Sequence, residues 1–119
     1  MKITGVETLY LRQSEVKEQC DSGQDALIVK VTTDAGITGI GEVDSSPMAV
    51  KGAIDGPFSH TTATGLKHVV LGEDPLQLSR LNRRMDAALK GHPYVKSGID
   101  IACWDILGQV TGQPVCVLL

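Results

Sequence analysis

The hydrophobic pattern of this chain changes period once. Before about residue 43, apolar residues mostly alternate with polar ones; beyond about residue 59 they recur at spacings of three and four. Alternation is the signature of a strand with one face covered, and the longer spacing is that of a helix stripe. The chain therefore reads as a run of strands followed by a run of helices, which predicts an α+β domain with a small sheet packed on helices.

The strands fall at 2–12, 26–33 and 37–43. In the first, Ile3, Val6, Leu9 and Leu11 alternate with polar residues, but the phase slips near Gly5, which predicts a bulge. The second is rich in β-branched residues. It returns through Asp34-Ala35-Gly36, a short turn with glycine where a positive φ is needed. The three make an antiparallel meander. Residues 13–24 are polar and lack a strong period, residues 44–57 read as a second irregular stretch, and loops of that length in a compact domain are usually functional or mobile.

About three helices follow. The first is expected over 59–71, with Ala63, Leu66, Val69 and Val70 inward, stopping at Gly72. Asp74 and Pro75 then suggest an N-cap and a first helical residue. Leu78, Leu81, Met85, Ala88 and Leu89 line one face, and Gly91 ends that helix. The third, 94–110, is expected to bury Ile99, Ala102, Cys103, Ile106 and Val110, with Gly112 as C-cap. Beyond Pro114 comes a bare apolar run, 115–119, a surface that calls for a partner.

Several function classes recede. The net charge is −3 and the basic residues are scattered, so no nucleic-acid footprint appears. No apolar run approaches the roughly 18 residues of a membrane span. Three cysteines without a C-x-x-C pair and no leader pattern predict reduced thiols in a cytoplasmic protein.

No complete catalytic set is visible. Gly36, Gly39 and Gly41 hint at a dinucleotide loop, but position 44 holds Asp where a third glycine belongs, and the segment ends a hairpin rather than opening a helix. Close backbone approach is the better account of these glycines. His60, His68 and His92 lack the partners that catalysis needs. Glu42, Asp44 and Asp55 could in principle hold Mg²⁺, but their spacing fits no dedicated loop. Ser45 and Ser46 have no base beside them in sequence. Cys20 lies among Glu15, Glu18 and Asp21, whose charges are expected to raise its thiol pKa.

Three stretches together carry a resemblance. They are the start M-K-I-T-G-V-E-T, the hairpin L-I-V-K-V-T-T-D-A-G-I-T-G-I-G-E, and the helix I-D-I-A-C-W-D-I-L-G followed by G-Q-P-V. The chain resembles the N-terminal capping domain of the mandelate racemase and muconate lactonizing enzyme branch of the enolase superfamily, over nearly its whole length. The helix with G-Q-P and L-L is the specific part; the hairpin alone would be weak.

The resemblance implies a capping domain over 1–114, with 115–119 beginning the connection into a (β/α)₈-type barrel absent from this chain. It implies that the parent abstracts a proton α to a carboxylate, as a racemase, epimerase or dehydratase, using Mg²⁺ and bases held by the barrel. On that reading no catalytic or metal-binding residue lies in these 119 positions, and the fragment alone is inactive. The two loops would close over a small-molecule carboxylate, with Cys20, Asp21, Asp44, Ser46 and Lys51 facing it. The segment 92–105 is most similar to members acting on proline derivatives, and 42–47 is similar to acid-sugar dehydratases. The implied partners are the chain's own barrel and further copies in a homo-oligomer. A stand-alone binding or dimerisation module and a small hydrolase using Ser46 stay open as alternatives.

Overall fold

The computed structural model describes residues 1–20, 22–60 and 64–119. Three strands, β1 (Ile3–Arg12), β2 (Asp25–Thr33) and β3 (Thr38–Val43), form one antiparallel sheet in the order β1-β2-β3. The phase slip at Gly5 is a break in register between Ile3 and Gly5, after which pairing runs evenly from Val6 opposite Val31 to Arg12 opposite Asp25. The β2–β3 turn carries Gly36 at φ 77°, as the sequence predicts. Alternation on β2 is complete: Leu27, Val29, Val31 and Thr33 are buried, while the residues between them are half-exposed.

Among the described residues five helices follow: α1 (Pro47–Asp55), α2 (Leu66–Val70), α3 (Leu78–Ala88), α4 (Pro93–Thr111) and α5 (Val115–Leu118). The longest, α4, lies on the inner face of β2 and β3 and makes the core with them. Ile99, Ala102, Cys103 and Ile106 are fully buried against Val29, Val31 and Val43. The fit depends on missing side chains. A Cβ on Gly39 would enter the carbonyl of Ala102, one on Gly41 would enter that of Gly98, and one on Gly98 would stand 2.8 Å from Val29 and Val43. Gly39 and Gly41 of the false dinucleotide loop are therefore a seat for a helix.

The same helix lies along the β3 edge of the sheet. Asp105 accepts the Ile40 amide at 2.9 Å, and Gln109 donates to the Thr38 carbonyl at 2.7 Å. Edge groups left open would pair with other chains, so both side chains protect as well as hold.

Four expectations are corrected. The stretch 44–57 is not irregular: α1 occupies most of it, opened by Pro47 and anchored by Val50 and Ile54. The helix expected over 59–71 spans only Leu66–Val70, with Leu66 and Val70 buried; Ala63 lies outside the described residues. Asp74 and Pro75 do not start α3. The Asp74 carboxylate accepts the Leu76 amide and its carbonyl accepts that of Gln77, making a turn that precedes the helix. Val110 is 44% exposed, because α4 reaches Thr38, the first residue of β3, at Gln109 and then runs past the sheet. Gly112, at φ 66°, caps α4 as expected. Among the described residues, no helix is long and apolar enough to cross a membrane.

Candidate functional site

The strand directions bring three chain segments to one end of the sheet. β1 finishes there, β2 begins there and β3 finishes there, so the loop 13–24 and the turn after Val43 emerge side by side. Between them lies an open cleft of about 520 Å³, lined among others by Leu11, Arg12, Gln24, Asp25, Glu42 and Asp44. The two polar stretches singled out in the sequence thus flank a single site.

The cleft has its own polar order. Tyr10 donates its hydroxyl to Asp25 at 2.8 Å. That bond, then burial and the Asp25 charge, raise the tyrosine pKa. Arg12 stands opposite Asp25 in the ladder, yet the carboxylate is taken by Tyr10. The loop 13–24 is tied at its base: Gln13 donates its amide to the Gln24 carbonyl at 2.9 Å, and the Gln24 side chain holds the backbone of Lys17.

The residues expected to face substrate are distributed unevenly. Asp44 lines the cleft, exposed, with Ser45 donating to it at 3.2 Å. Ser46 is exposed at the start of α1 in the left-handed region, φ 51° and ψ 54°, and its hydroxyl caps nothing. Such a conformation costs a non-glycine residue about 1 kcal/mol, and it turns the chain from β3 into α1. Cys20 is exposed in the first loop, 3.5 Å from the Ser22 hydroxyl. Hydrogen bonds from the Ser22 side chain and backbone lower its thiol pKa, contrary to the rise expected from nearby acids. Asp21 lies outside the described residues.

Lys51 is engaged elsewhere. Its ammonium reaches the Thr8 hydroxyl at 2.6 Å, the Thr8 carbonyl at 3.3 Å and Asp55 at 2.7 Å. Thr8 also donates to Asp55, and Lys67 stands 3.8 Å from the other carboxylate oxygen. Burial pushes the Asp55 pKa up, but the bonds from Lys51 and Thr8, with the charges of Lys51 and Lys67, outweigh it and hold the carboxyl below its ordinary value. Thr8 is four residues up the strand from Arg12, roughly 13 Å at strand rise. The cluster therefore fastens α1 to β1 away from the cleft.

The remaining candidates are structural. His92 precedes α4 at φ 51°, with Nδ1 3.3 Å from the Tyr94 hydroxyl. Cys103 is buried, and burial followed by the Asp100 charge pushes its thiol up to about 12. Glu42 and Asp44 line the cleft while Asp55 is held by lysines, so the three do not converge. Among the described residues, no group of three His, Cys, Asp or Glu side chains could hold a metal ion. The described side chains do not fit a Mg²⁺ site. Sequence reading missed Arg12 and Gln24. Strand register was the signal that could have placed them at the cleft.

The model of the mandelate racemase/muconate lactonizing enzyme N-terminal domain matches residues 11–119. The chain belongs to that family. A cis-3-hydroxy-L-proline dehydratase from Roseibium aggregatum is 43% identical over 98 residues, covering 80% of this chain and 26% of the relative. A predicted mandelate racemase from Rhodobacter sphaeroides has the same fold at a TM-score of 0.85 and 31% identity, over 98% of this chain and 31% of that one. An enolase-superfamily member from Roseovarius nubinhibens, solved in complex with magnesium, matches at a TM-score of 0.72 and 35% identity, over 92% of this chain and 31% of that one. This N-terminal domain thus spans between a quarter and a third of the length of these relatives.

Proposed function

We propose that this chain is the substrate-capping domain of an enolase-superfamily enzyme that abstracts a proton α to a carboxylate. The observation that carries the reading is the convergence of the loop 13–24 and the turn 44–46 on one cleft at one end of a rigid sheet. A C–H bond next to a carboxylate yields its proton only where the developing charge is stabilised and water is kept away. A cap supplies the second condition and shapes the pocket, while the base and the magnesium ion belong to the remainder of the parent enzyme. In this chain Asp44 and Ser46 present polar groups from the short turn. Cys20 does so from the longer loop, and Lys51 steadies α1 behind them.

The substrate class we favour is a proline derivative, supported by the 43% identity to a hydroxyproline dehydratase. Residues 1–114 act as the cap and 115–119 lead into a barrel. A largely apolar groove of about 350 Å³ between α4 and α5, lined by Ile101, Trp104, Asp105, Val115 and Leu119, supports a further domain packing there. The test is solvent deuterium incorporation at Cα of cis-3-hydroxy-L-proline, followed by NMR with Mg²⁺ present. The parent protein should exchange or dehydrate it, and residues 1–119 alone should do neither. Turnover by residues 1–119, or a parent inert toward proline derivatives, would contradict the reading.

A further inference from the structure

Gln24 does two things at once. Its backbone carbonyl accepts the Gln13 amide, adding a rung beyond the paired ends of β1 and β2. Its side chain then reaches over Lys17: Oε1 accepts the Lys17 amide at 2.8 Å and Nε2 donates to the Lys17 carbonyl at 2.7 Å. A primary amide carries a donor and an acceptor side by side in one plane, as a peptide group does. The pair therefore copies a rung of a sheet at a point where the chain has left the sheet. Only the Lys17 backbone takes part in these two bonds. Gln24 also lines the cleft beside Arg12, Asp25 and Asp44.

We infer that Gln24 is a positioning residue: its clamp on Lys17 fixes the direction in which the loop 13–24 leaves the sheet, and so shapes one wall of the cleft. This rests on the reading of the cleft as the substrate-facing side of the cap. Without the clamp, the Gln13–Gln24 rung would still close the base of the loop, and the chain between these two residues could swing more freely. A backbone carbonyl held by an amide is also withheld from a protease, which needs an extended, unpaired segment. Cleavage after Lys17 therefore reads the clamp directly, because it tracks the population of the locally open form.

The experiment is timed trypsin digestion with mass spectrometry, comparing cleavage after Lys17 with cleavage after Lys30 in the middle of β2. Gln24→Met keeps the length of the side chain and removes both hydrogen bonds. It should speed cleavage after Lys17 by about fivefold or more, given two lost bonds of ordinary strength, with Lys30 unchanged. Lys17→Arg keeps the tryptic site and the backbone contacts, so its rate should stay within about twofold of the unaltered protein. An unchanged rate after Lys17 in Gln24→Met, or equal acceleration at both sites, would overturn the clamp. In the parent enzyme Gln24→Met should raise KM several-fold with kcat nearly constant. A loosened loop with unaltered KM would overturn its link to the cleft. Should the unaltered parent show no turnover, the capping reading fails and the tryptic comparison still decides the clamp.

Discussion

Gly39 and Gly41 owe their identity to a neighbouring backbone, whereas Gly36 owes it to its own torsion angle. Nothing lies within 4 Å of a Cβ built on Gly36, so Gly36→Ala should cost about 1 kcal/mol, the strain of a positive φ alone. Gly41→Ala must push α4 off the sheet and should cost about 3 kcal/mol or more. Urea unfolding of both variants separates the causes, and equal losses would refute the assignment. Asp55 gives a second test. Its folded-state pKa lies below the ordinary 3.8. The stability it contributes is therefore fully present above that value and is lost as the pH falls through the lower, folded one. Asp55→Asn should flatten the acid limb of the stability profile below about pH 4, and Lys51→Met should do much the same by removing the strongest partner. An acid limb unchanged in both variants would show that the cluster contributes nothing to folding.

How far an element could be read from sequence depended on how much of its pattern was local. Strand β2 was plain because the sheet covers its residues alternately and the chain alternates to match. Most of α4 was plain because its stripe is long and Gly112 marks its end. The helix α1 was hidden: it has nine residues, its anchors are Pro47, Val50 and Ile54, and Gly52 lies in the middle. Its stability comes from tertiary contacts, including Lys51 on Thr8, and no local propensity announces those. The cleft was half legible. Both polar stretches were visible, but Arg12 and Gln24 gain meaning only through cross-strand register. Asp105 lies within the I-D-I-A-C-W-D-I-L-G motif, and only the structure shows why it suits that position. Asp105→Ala should leave the Ile40 amide of an edge strand unpaired. The expected cost is about 1–2 kcal/mol, with faster aggregation on heating as the edge becomes free to pair. Gln109→Ala should cost less, since it removes a neutral hydrogen bond to Thr38 where Asp105 makes a charge-assisted one to Ile40. Thermal scans with light scattering would check the order of the two, and the reverse order would contradict the edge-cover account.

For the molecule as a whole, the question is what its uncovered apolar surface is for. The groove of Ile101, Trp104, Asp105, Val115 and Leu119 lies beside α5, next to the point where Asp105 meets the β3 edge, and Leu119 is 85% exposed. A second set, Leu9, Leu11 and Ile40, is exposed on the outer face of the sheet. Single exposed aliphatics need no explanation, but grouped ones mark surfaces made to be covered. If the chain caps a larger enzyme, the groove beside α5 is where the following domain first meets it. Trp104 is the only tryptophan in these 119 residues, so its fluorescence reports on that groove without interference. In residues 1–119 alone the indole is partly wet, and its emission should be red-shifted and readily quenched by acrylamide. A Trp104 signal isolated in the parent, with the parent's other tryptophans replaced by phenylalanine, should be blue-shifted and resist quenching. Ile101→Glu should return the parent signal toward that of the short chain and lower the stability of the parent more than that of residues 1–119. A Trp104 that is equally quenchable in both contexts would mean that the following domain packs elsewhere, which would leave the groove to a partner molecule instead.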